Sequence, residues 1–250
     1  TGMRSWMAGL RRRLVSRIRR PESTPQPFRL EVPAHLHRNS ASVASLGFEE
    51  TGVHLMELAA RRVGLPSLAT VDVLDVGCGI RFAQTIVNRQ VPIGSYTGIE
   101  VYRPIVDFLH EHLEPFDPRF RFVHWDIQHA FFNASSPRRI QDEPGLPVNS
   151  TFDIIWLYSV FTHMDQDDAR ALLKLIRRVI RPTGTLLLTA FVDPDLDGVE
   201  GRNPEHPLAE VFYGKRTIEA LIRETGWKLH EFHPGGPELF VLPSFKCTPC

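Results

Sequence analysis

At 250 residues, 42% hydrophobic and 23% charged, the chain is long enough to bury one sizeable core, and no apolar run reaches the roughly 18 residues that a membrane span demands. Three cysteines, one of them set between two glycines, argue against a disulfide framework, and the N-terminus lacks the apolar stretch of a secretory signal, so a cytoplasmic location is expected. The net charge of zero conceals seven arginines and no acid within residues 1–20; the remainder holds 22 basic against 29 acidic residues, a balance of −7 that disfavours nucleic acid as a partner.

Residues 1–30 read as a basic arm and linker. Leu10, Leu14 and Ile18 recur every four residues, the pattern of an amphipathic helix able to touch a membrane surface or a partner, with a solvated arm as the simpler alternative. Pro21 to Pro27 (PESTPQP) is an extended linker. Residues 31–250 form the body, which starts with a helix expected over Ser42 to Val63, ended by Gly64.

From Val71 onward, strand-like and helix-like segments alternate: Val71 to Val76 strand, Phe82 to Asn88 helix, Ser95 to Val101 strand, Pro104 to Leu113 helix, Arg121 to Trp125 strand. Phe152 to Tyr158 follows as strand, Gln166 to Ile180 as helix and Thr185 to Phe191 as strand. This rhythm predicts an α/β fold with a doubly wound, mostly parallel sheet that binds ligands at the carboxyl ends of its strands. Two insertions, near 128–150 and 193–214, follow strands at that edge and are expected to be lids or acceptor walls. Lys215 to Glu224 reads as a helix, and Trp227 to Phe232 and Glu238 to Phe245 as strands around a Pro-Gly-Gly-Pro turn.

The segment VLDVGCGI, Val73 to Ile80, runs an apolar strand into Gly-Cys-Gly, with Glu100 placed 21 positions beyond Gly79. Glycines at a strand end let backbone approach a ligand closely, and a carboxylate about 20 residues on is suited to accept ribose hydroxyls. A turn that simply needs glycine would look the same locally.

Four segments together resemble class I S-adenosylmethionine-dependent methyltransferases, over roughly residues 42–245. VLDVGCG is similar to the family's first motif, which implies that Asp75, Gly77, Cys78 and Gly79 form the turn around the methionine part of the cofactor. GIEVYRP resembles the second, implying Glu100 on the ribose and Val101 and Tyr102 beside the adenine. FVHWDIQ resembles the third, implying Asp126 on the adenine amino group and the Ile127 amide on a ring nitrogen. FDIIWLYSVFTHM resembles the fourth, implying that Leu157 and Tyr158 face the amino acid end. RPTGTLLL matches the helix, glycine turn and fifth strand that follow, with Pro182 stopping the helix.

The resemblance implies a Rossmann-like sheet of seven strands with the last antiparallel. Arg81 is a departure, since the family often has a glycine there for packing helix on strand. Phe82 stands where a dinucleotide fingerprint wants glycine or alanine, which makes a dehydrogenase the weaker reading.

Methyl transfer to a hydroxyl needs alignment, exclusion of water and a base titrating near neutrality. His163, just past the fourth strand, is the candidate base, and Asp165 could orient it; alternatively Asp165 or Thr162 caps the next helix. After the fourth strand the chain has Leu157-Tyr158-Ser159-Val160 instead of the Asp/Asn-Pro-Pro-aromatic loop of adenine-methylating enzymes, and no cysteine lies near that loop to serve as a Pro-Cys nucleophile, so nucleic acid is again disfavoured. The expected acceptor is a small molecule or saccharide hydroxyl, and the subfamily resemblance implies a sugar or polysaccharide O-methyltransferase; the 25 arginines against 4 lysines hint at a GC-rich bacterial source. A small-molecule N-methyltransferase and a non-catalytic partner-binding protein are the alternatives, and a homodimer is open.

No metal site is assigned. Magnesium is carried as an ion that some sugar and catechol O-methyltransferases use, and Asp193, Asp195 and Asp197 read as an acidic lid, because position 12 of a calcium loop would be Pro204. His230, His233, Cys247 and Cys250 are the nominal zinc donors, with a solvated tail preferred.

Overall fold

Each strand of the central layer alternates its side chains between two helical layers, and this alternation divides the core. A computed structural model describes residues 28–37, 47–236 and 242–250, so the basic arm and the start of the helix expected from Ser42 lie outside the described residues. In chain order the elements are α1 (Phe48–Val63), β1 (Leu68–Val76), α2 (Arg81–Asn88), β2 (Ile93–Glu100), α3 (Arg103–His112) and β3 (Phe120–His124). They continue with β4 (Phe152–Leu157), α4 (Gln166–Ile176), β5 (Ile180–Thr189), β6 (Phe191–Asp193), β7 (Val199–Gly201) and β8 (Val211–Gly214). The last are α5 (Lys215–Glu224), β9 (Trp227–His233) and β10 (Ser244–Pro249).

Seven strands form one sheet in the order β3-β2-β1-β4-β5-β10-β9. The pairs among β1 to β5 are parallel, whereas β10 runs antiparallel to both β5 and β9. This is the Rossmann-like methyltransferase fold. The chain winds outward from β1 through β2 to β3, then returns to place β4 on the other side of β1, so a crevice opens beyond the carboxyl ends of β1 and β4.

Leu74, Ile155, Leu186 and Leu188 face α4 and α5, packing with Leu172, Leu173, Leu221 and Ile222. Val73, Ile154, Trp156 and Leu187 face the other way, toward Met56 of α1, Phe82 and Ile86 of α2, and Ile105 and Leu109 of α3. Trp227 is fully buried and donates its indole N–H to the carbonyl of Leu173 at 3.1 Å, pinning β9 to α4.

Three expectations require correction. The fourth helix ends at Ile176 rather than Ile180, and Pro182 lies within β5, which starts at Ile180. The register shifts there, with Phe152 opposite Ile180 and Ile154 opposite Thr185, so the Pro-Thr-Gly segment bulges from the ladder and leaves no stop for Pro182 to make. The last strand is Ser244–Pro249 instead of Glu238 to Phe245, of which residues 238–241 are not described. The acidic insertion is more than a lid loop, since β6, β8 and β7 form a small sheet of their own.

Candidate active site

The turn after β1 is held at the wall of a cavity by hydrogen bonds from its own amides. Gly77 and Cys78 donate their N–H groups to the Ile99 carbonyl at 2.8 and 3.1 Å, which clamps the turn to the end of β2. Gly77 has φ of 72°, and a Cβ on it would lie 2.8 Å from Val160 Cγ2. Only glycine fits both demands at that point.

Glu100, 3% exposed, ends β2 beside the turn. Its Oε2 accepts the Gly79 N–H at 2.9 Å, and its Oε1 accepts the N–H groups of Val101 and Tyr102 at 2.9 Å each. The carboxylate is thereby fixed between the glycine turn and the start of α3.

Beneath them is Asp75, also buried, which accepts the hydroxyl proton of Tyr96 through Oδ2 while its Oδ1 has no hydrogen-bond partner. Burial, reinforced by the charge of Glu100, pushes its carboxyl up to about 7, although the Tyr96 hydrogen bond pulls downward.

These groups line a cavity of about 650 Å³. Of the residues expected at the cofactor, Asp75, Gly77, Cys78, Gly79, Glu100, Val101, Ile127 and Tyr158 line it, together with the candidate base His163. Tyr102, Asp126, Leu157 and Asp165 do not. Asp126 is exposed and accepts from Asn133 Nδ2 at 2.8 Å, which lowers its carboxyl below the usual range. Asp165 is the N-cap of α4: its Oδ1 accepts the N–H groups of Asp167 and Asp168, each at 2.9 Å.

His163 ends a short 3₁₀ turn, Phe161–His163, between β4 and α4. Its Nδ1 is 3.2 Å from the Leu208 carbonyl oxygen. A carbonyl only accepts, so Nδ1 carries the hydrogen in this bond and a neutral ring has its lone pair on Nε2.

Three groups lining the cavity were not singled out from sequence as site residues. His129 and Phe132 come from the 128–150 insertion; their rings stack at 4.8 Å, and each meets His163 edge-on at 6.5 Å. An isolated bridge between His129 and Asn133 tightens this turn, and the run His-Ala-Phe-Phe was its sequence signal. Arg81 also lines the cavity, its guanidinium 5.2 Å from the Phe48 ring centroid and 5.8 Å from that of Tyr158.

Residues 73–184 match the family described as "Methyltransferase domain". This segment is a methyltransferase domain. The match spans 112 of the 250 residues, and the fold around it is shared with solved methyltransferases. The magnesium protoporphyrin IX methyltransferase (ChlM) of Synechocystis PCC 6803 with bound SAM is similar at 10% identity and TM-score 0.55, covering 86% of each chain. The glycopeptide N-methyltransferase MtfA with sinefungin is similar at 13% identity and TM-score 0.56, covering 84% of this chain and 96% of that one. The mitomycin 7-O-methyltransferase MmcR is similar at 13% identity and TM-score 0.51, covering 86% of this chain and 60% of that one.

The residues lining the cavity fit S-adenosylmethionine: a glycine turn that a Cβ would fill, a fixed carboxylate beside it and the apolar side chains of Val101, Trp125 and Ile127. Among the described residues no group of three or more His, Cys, Asp or Glu could hold a metal ion. Asp193 is paired with Arg202, and His230 is bonded to Thr248 Oγ1 at 2.8 Å. No described helix is long and apolar enough to cross a membrane.

Proposed function

We propose that the enzyme transfers a methyl group from S-adenosylmethionine to a hydroxyl on a ring-bearing small molecule, a saccharide in the reading that sequence favours, with His163 as the base. The observation that carries this is the hydrogen bond from His163 Nδ1 to Leu208 O, which turns the basic nitrogen of a cavity-lining ring to Nε2. S-adenosylmethionine, when bound, supplies an electrophilic methyl group on a sulfonium.

In this reading Glu100 accepts the ribose hydroxyls, while Val101 and Ile127 flank the adenine. The stacked rings of His129 and Phe132 present a flat face against which the C–H face of a sugar or a planar ring packs, excluding water beside His163. His163 Nε2 takes the hydroxyl proton as the oxygen attacks, and the Leu208 carbonyl steadies the imidazolium that forms. Asp165 acts as the cap of α4, and Asp126 holds the turn at Asn133. Operation in the cytoplasm and docking through the basic arm belong to the same proposal.

An amine acceptor is the weaker reading. Among the described residues the carboxylates lining the cavity are Asp75 and Glu100, both buried at the glycine turn, and neither lies among the rings around His163 where an ammonium-bearing acceptor would bind a counter-charge. The discriminating assay measures S-adenosylhomocysteine release with matched pairs of hydroxyl and amino compounds, glycosides included. Turnover confined to the hydroxyl member is expected; turnover of the amine alone, unaffected by His163→Ala, contradicts the proposal.

A further inference from the structure

Arg81 was a departure from the family pattern, and its surroundings give it a purpose. Its guanidinium is set between the rings of Phe48 and Tyr158, and its Nε is buried without a hydrogen-bond partner. Among the described residues no carboxylate forms an ion pair with it. Burial depresses its pKa, offset only in part by its interaction with Tyr158. A half-buried cation that lines a cavity with two aromatic rings and no carboxylate beside it is costly unless something else brings a negative charge.

We infer that Arg81 is the counter-ion for the α-carboxylate of the cofactor's amino acid moiety. The inference rests on the reading that S-adenosylmethionine occupies this cavity, and not on the choice of acceptor. Two positional facts favour the cofactor over an acidic acceptor. Arg81 follows Gly79 by two residues and stacks on Tyr158 at the end of β4, so it continues the wall that begins at the glycine turn, whereas Glu100 is bonded to the turn from β2. It makes no ring contact with His129, Phe132 or His163, which pack on one another. A guanidinium presents a planar fork of donors that suits a carboxylate, and the aromatic rings hold that fork by stacking without neutralising it.

The test measures calorimetric binding of S-adenosylhomocysteine and of 5′-methylthioadenosine, which keeps the nucleoside and lacks the amino acid. Wild type, Arg81→Met and Arg81→Lys are compared. Arg81→Met keeps the apolar stem and is expected to weaken S-adenosylhomocysteine by about 30-fold or more while changing methylthioadenosine by less than about 3-fold; Arg81→Lys recovers part of the loss. Wild-type affinity for S-adenosylhomocysteine in Arg81→Met overturns the inference, as does an equal loss for both ligands, which marks a structural role. An Arg81→Met defect seen only with acidic acceptors assigns the charge to the acceptor instead. If wild type binds neither nucleoside, the cofactor reading itself fails.

Discussion

His163 Nδ1 lies 3.2 Å from the carbonyl oxygen of Leu208, a residue 45 positions further along the chain, in the insertion that carries the small sheet β6-β8-β7. The contact couples the turn after β4 to that insertion. It also sets the ring's tautomer, on which base catalysis depends.

Replacing His163 by alanine should therefore lower kcat by about 100-fold or more, the usual scale for loss of a positioned base. Binding of S-adenosylhomocysteine should be unchanged within about 2-fold. Steady-state kinetics paired with calorimetry checks both, and a matching fall in cofactor affinity would instead indicate disruption of the cavity.

Glu100→Gln should weaken S-adenosylhomocysteine by roughly 10- to 100-fold, because hydrogen bonds to a charged group contribute about 1.5–3 kcal/mol. The variant's amide can still accept from Gly79 but loses the carboxylate charge. Fluorescence or calorimetric titration measures the effect; unchanged affinity would remove Glu100 from the ribose.

Asp75 makes stability depend on pH in a defined direction. Its carboxyl rises from 3.8 to about 7 on folding, chiefly through burial, so between those values the folded state binds more protons than the unfolded chain. Its contribution is fully present below about pH 4, declines as pH rises to about 7 and is absent above that. Asp75→Asn should remove the decline, giving a variant more stable than wild type by a few kcal/mol at pH 8 and by little at pH 4.5. Urea unfolding at the two pH values measures the difference, and a gap that does not widen with pH contradicts the assignment.

Asp165→Ala should cost about 1 kcal/mol, the usual worth of an N-cap, seen as a fall of roughly 2–4 °C in Tm. Below the melting transition kcat should be near wild type. A large loss of kcat with native Tm would return Asp165 to the chemistry.

The sheet was legible in the sequence because alternating apolar strands and amphipathic helices occupy positions 71–191 in regular succession, and because Gly77, Gly79 and Glu100 sit at a spacing that few other arrangements require. The helix end at Ile176 was not legible: Arg177 to Val179 continue a helical pattern, and pairing of Ile180 with Phe152 is a tertiary contact that overrides it. His129 and Phe132 sat in a polar insertion read as a lid or acceptor wall, and nothing local indicated that their rings would meet His163. Arg81 read as a packing defect, since the rings of Phe48 and Tyr158 that enclose it come from distant segments.

The most direct measurement is the pH dependence of single-turnover methyl transfer to a hydroxyl acceptor, followed with methyl-labelled S-adenosylmethionine, in wild type and His163→Asn. Base catalysis by His163 predicts a wild-type rate that rises with pH and then levels, with that rise missing and the plateau about 100-fold lower in the variant. The same pH profile and plateau in both proteins would contradict it.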